Sequence, residues 1–151
     1  MERCLQPRRS FRFGVPCRSY GASSILTVVG EQETDTVPYT TFVAAGVPGA
    51  ESIQTTPNGG TGENDQFAAA TTADGATWAV GWDINTSNHD PLILQSQNGV
   101  WSVVSSPSLG TGSDTGFAAI TSTPGGGMWA VGVTAPAKGG GNYSTLIEYD
   151  Q

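Results

Sequence analysis

The sequence predicts an all-β chain, a partial β-propeller of about two and a half four-stranded antiparallel blades with no significant helix. Three observations carry that expectation. The first is an internal repeat: residues 117–132, FAAITSTPGGGMWAVG, reprint residues 67–81, FAAATTADGATWAVG. A shift of 50 residues lays Pro57, Gly60, Phe67 and Thr71 on Pro107, Gly110, Phe117 and Thr121. One extra glycine then brings Trp78, Val80 and Gly81 onto Trp129, Val131 and Gly132. A period near fifty in a β-rich chain is the signature of propeller blades. The second is alternation: Trp129, Val131 and Val133 interleave with Met128, Ala130 and Gly132, the two-residue period of a strand. The third is turn chemistry: Asn98-Gly99 and Asp74-Gly75 are dipeptides that tolerate the positive φ of a tight hairpin.

The elements follow in order. Residues 1–22 are basic and unlike the rest, and Pro16, Cys17 and Arg18 interrupt any apolar run of the kind a secretory signal needs. They are expected to be a disordered or atypical segment, with a basic arm as the functional alternative. Residues 23–57 read as a worn first blade. Leu26, Val28 and Val29 supply its second strand, residues 41–45 its third and residues 51–55 its fourth, with Thr27 and Glu51 where the other copies have Trp. Residues 58–107 form the complete unit, with strands expected at 66–72, 77–83, 91–97 and 100–105. Residues 108–151 make a third blade that has Leu146 and Ile147 in its third strand and lacks the fourth.

Propellers typically close with about four to eight blades. An open arc leaves half-buried Trp, Val and Ile side chains in water, each forfeiting on the order of 2 kcal/mol against a total stability of about 5–15 kcal/mol. The chain is therefore expected to associate with other propeller blades, as a homo-oligomer or within a larger propeller.

Charge is divided unevenly. All five arginines lie in the first 18 residues, and beyond them a single cation, Lys138, faces twelve Asp and Glu. An acidic repeat region repels phosphate, so nucleic acid and anionic membranes are excluded as expected partners. No apolar run approaches the roughly 18 residues of a membrane-spanning helix. Cys4 and Cys17 both fall outside the repeats, and no blade would depend on a bridge between them.

Trp129-Ala130-Val131-Gly132, Leu146-Ile147-Glu148, and Asn98-Gly99-Val100-Trp101-Ser102-Val103-Val104 with Ser106-Pro107 resemble the repeats of large bacterial tandem β-propeller proteins, and more distantly kelch-like and Asp-box blades. The resemblance covers roughly residues 23–149, with departures at Thr27, Glu51, Gln95 and Asp150. It implies the blade fold and an extracellular or cell-surface location. It implies no reaction.

Candidate chemistry is sparse. Trp78, Trp101 and Trp129 could stack on sugars, but Trp78 and Trp129 share one repeat position and are expected to pack between blades. Trp82 breaks the repeat, since Val133 is its counterpart, and is the best aromatic for ligand contact. Residues 83–90 place oxygens at alternate positions, as calcium loops do, but Leu94 stands where such a loop wants a carboxylate, so a plain polar loop is expected. Within it, Asp83 and Asn85 with the sole histidine, His89, complete a candidate ligand-binding group around Trp82. Glu63, Asp65 and Asp114 are expected in inter-blade connections, unpaired for acid-base work. Gly139, Gly140 and Gly141 lack the Lys-Ser ending of a phosphate loop. No catalytic residue, metal site or cofactor is assigned. The leading expectation is a non-enzymatic propeller segment for protein or glycan contact. The alternatives are an oligomeric lectin-like propeller that binds carbohydrate between blades and a fragment of a propeller hydrolase.

Overall fold

A computed structural model describes residues 25–33, 39–59, 64–85, 88–106, 113–136 and 141–150. The expectations placed on residues 1–22, Cys4, Cys17, Glu63 and Gly139-Gly140 fall outside them. The described residues form ten strands and no helix. β1 (Leu26–Gln32), β2 (Thr40–Gly46) and β3 (Ser52–Gln54) make a three-stranded sheet. β4 (Asn64–Ala73), β5 (Ala76–Asn85), β6 (Asn88–Gln97) and β7 (Val100–Val104) make a four-stranded sheet. β8 (Ser113–Ser122), β9 (Met128–Pro136) and β10 (Ser144–Asp150) make a second three-stranded sheet. Within every sheet, chain neighbours pair antiparallel.

Hairpins explain this connectivity. Asp74 and Gly75 take φ of 49° and 78°, and Asn98 and Gly99 take 52° and 80°, the left-handed pair that joins two right-twisted strands. In the third sheet a longer glycine turn closes when the Thr123 N–H donates to the Gly127 carbonyl at 2.7 Å.

The repeat extends to an irregularity. The β4–β5 register shifts between Phe67 and Ala69, and the β8–β9 register shifts between Phe117 and Ala119. At each bulge the partner strand carries a glycine, Gly81 or Gly132. A Cβ on Gly81 would collide with the Gln66 carbonyl oxygen, and one on Gly132 with that of Gly116. The final glycine of each WAVG motif is thus required by backbone riding over it.

Each sheet has two faces, and the chain uses them directionally. The front, the face that holds the repeat-equivalent Val29, Val80 and Val131, carries Val29 and Val43 in the first sheet. These pack on Phe67, Ala79, Leu92, Leu94 and Trp101 from the back of the second. The front of the second sheet carries Val80, with Ala69 and Ile93, and packs on Phe117, Ala130 and Leu146 from the back of the third. Both cores are built from apolar side chains at alternating strand positions, the packing of sheet on sheet. The indole Nε1 of Trp101 also donates to Gln54 Oε1 at 2.7 Å, tying β7 to β3. Ser106 Oγ donates to Glu148 Oε1 at 3.0 Å, tying the residue beyond β7 to β10.

Trp78 and Trp129 hold one register. Trp78 pairs with Thr71 and Gln95, and Trp129 with Thr121 and Tyr149. Their surroundings differ in the cross-strand partner, Gln95 against Tyr149, and in cover: the front of the second sheet is covered and that of the third is open. Trp78 is half-buried, whereas Trp129, Val131, Val133, Ile147 and Tyr149 are all exposed.

Candidate functional site

Polar side chains gather at the end of the second sheet away from the Asp74-Gly75 turn. The stretch expected as a polar loop is paired strand instead. β5 continues to Asn85 and β6 begins at Asn88, with Asp83 opposite Asp90 and Ile84 opposite His89. Asp, Asn and Pro are poor strand formers, but β-propensity yields to packing. Trp82 is set against Gly116 of β8, whose Cβ, if present, would lie 3.2 Å from Trp82 Cβ. An Asp114 oxygen of β8 accepts the His89 backbone N–H at 3.0 Å and lies 3.4 Å from His89 Nδ1. The described residues of the calcium-loop spacing, 83–85 and 88–90, therefore fall on two paired strands.

Asp65 and Asp114 are also corrected from connections to strands, β4 and β8. Asp65 stands opposite Asp83 across the β4–β5 ladder, and both are buried, at 2% and 5% exposure. The Gly59 N–H donates to Asp65 Oδ2 at 2.7 Å. Asp65 Oδ1 and Asp83 Oδ1 are buried without a hydrogen-bond partner. Burial drives the Asp83 carboxyl up to about 6, helped by its hydrogen bond to Asp65 and by the charges of Asp65 and Asp90. Asp83 therefore keeps its proton into mildly acidic solution.

The proposed ligand group is divided by the sheet. Trp82 shares the alternation of Trp78 and Val80 on the front of β5. Asp83 follows Ala79 and Gly81 on the back, beside Asp65. Asn85 ends β5, and His89 is clasped to the third sheet through Asp114. The structure thus joins Asp83 to Asp65, and His89 to Asp114, and brings Trp82 against Gly116. Among the described residues no cluster of three or more His, Cys, Asp or Glu could hold a metal ion. The arrangement can bind and release a proton and can lock adjacent sheets together.

Sequence reasoning missed the Asp65–Asp83 pair, because their register runs through the bulge at Phe67. The one available signal was that both aspartates flank the same repeat unit, Asp65 two residues before Phe67 and Asp83 two after Gly81. Compared with family models, curated proteins and solved structures, the chain gives no match.

Proposed function

We propose that the chain is a non-enzymatic β-propeller segment, working by sheet-face contact with further blades and offering surface for protein or glycan. The observation that supports this reading is the open front of the third sheet. Val131 and Ile147 stand at the repeat positions of Val80 and Ile93, which the second sheet packs on the third, and Trp129 stands at that of Trp78. A face built to the same pattern and left in water is an interaction surface. Solution mass tests it. The chain should self-associate or co-purify in a complex, and Val131→Asp should release the free chain. A monodisperse single chain, unchanged by Val131→Asp, would overturn the reading.

A second reading, a lectin-like propeller, is favoured by one feature of the same face. The Trp129 and Tyr149 rings lie 4.7 Å apart at 36° and are both exposed, an aromatic surface suited to sugar C–H groups. A glycan array probed with the soluble chain tests it, and binding no greater than background discards it.

A further inference from the structure

We infer that the open front of the third sheet is covered by the back of the first sheet of a second copy, so that two chains close head to tail into one ring of six sheets. This rests on the propeller reading above and names the partner it leaves open.

Direction is the first argument. Both internal contacts are front to back: Val29 and Val43 meet Ala79, Leu92 and Leu94, and Val80 meets Ala130 and Leu146. In neither does a front meet a front. The third sheet's front therefore calls for a back. Among the described sheets, only the first has a back with no other described sheet packed on it. That back carries Leu26, Val28, Phe42, Ala44 and Ile53, read from the alternation opposite Val29 and Val43 and from the pairing of Ile53 with Ala44.

The repeat then gives the contacts. Val131 is the counterpart of Val80, and Val28 that of Ala79 and Ala130. Since Val80 packs with Ala130, Val131 should pack with Val28 of the other chain.

Charge is the second argument. In a molecule of net charge −7, neither of these two groups of side chains contains an ionised residue. Joining them buries no charge, whereas an acidic surface elsewhere disfavours indiscriminate contact. Number is the third. Three sheets per chain make six from two copies, within the range of about four to eight that closes a propeller. A heterologous contact repeated twice about a two-fold axis leaves no free end. The first sheet's back is only partly open in one chain, with Ile53 72% exposed and Phe42 buried, so docking must seat against Ile53 and the half-buried Leu26, Val28 and Ala44.

Disulfide trapping in the full chain tests this, in a background with Cys4 and Cys17 changed to serine. Chains carrying Val28→Cys and chains carrying Val131→Cys are mixed under mild oxidation, with solution mass measured in parallel. The expected result is a dimer in solution and a mixed disulfide at least tenfold more abundant than either self-linked product. A dimer in which Val131→Cys links mainly to itself would overturn the ring while leaving the open face as an interface. Val131→Asp and Ile53→Asp, both at exposed positions, should each abolish the dimer. If Ile53→Asp leaves it intact, the head-to-tail contact is wrong. A monomer unaffected by either would sink both this inference and the propeller reading beneath it.

Discussion

Asp65 and Asp83 face each other across β4 and β5 with one oxygen of each carboxyl buried and unpartnered. The pair should make stability rise as solution becomes mildly acidic. Asp83 has a folded value of about 6 against an ordinary 3.8. Between those values the folded chain holds more protons than the unfolded one, so stability falls as pH rises through that window and stays low above it. Asp83→Asn removes this contribution. Thermal melts followed by circular dichroism at pH 5 and pH 8 should show the variant gaining relative to the parent at pH 8, by about 2–5 °C. An equal offset at both pH values would show that burial does not raise the Asp83 carboxyl.

Much of the fold was legible, and for a definite reason. Glycine and asparagine at turns, and Trp-Ala-Val-Gly in strands, act over a few residues, so the hairpins at Asp74-Gly75 and Asn98-Gly99 follow from sequence alone. The site depends on long-range register. No local pattern says that Asp65 meets Asp83, or that Asp114 reaches His89 from another sheet. Residues 83–90 look like loop because their side chains favour turns. Residues 83–85 and 88–90 are strand because Trp82 and His89 are held against β8.

Gly81 and Gly132 should be intolerant of any side chain. The Gln66 and Gly116 carbonyl oxygens occupy the space a Cβ would need, and these are backbone atoms that cannot swing away. Gly81→Ala and Gly132→Ala should each cost about 3 kcal/mol, the range of strained overpacking. Urea unfolding measures it. Ser102→Ala, at an exposed position of β7, should stay within about 0.5 kcal/mol of the parent.

Trp101 joins two sheets through one hydrogen bond and one buried ring. Trp101→Phe keeps most of the apolar contact but strands Gln54 Oε1, and should cost about 1–2 kcal/mol. Gln54→Ala should cost about as much, because it leaves the indole N–H of the buried Trp101 without its acceptor. A double-mutant cycle should return a coupling of about 1 kcal/mol. Zero coupling would mean that the first and second sheets are held by apolar packing alone.

Trp78 and Trp129 provide the sharpest contrast, since they share a motif and a register and differ in cover. Trp78 lies half-buried on the front of the second sheet, against which the third sheet packs. Trp129 lies on the matching face with its ring against Tyr149 and 43% of its surface in water. Truncating a large aromatic in a packed site costs about 3–5 kcal/mol, and the loss shrinks as the ring is already solvated. Trp78→Ala should therefore unfold the chain at far lower urea than the parent, while Trp129→Ala should cost on the order of 1 kcal/mol under dilute conditions. At high protein concentration the order should narrow: if the third sheet's front is covered by a second chain, Trp129→Ala then loses packing that the single chain never had. A Trp129→Ala penalty independent of concentration would mean that the indole contributes only through Tyr149.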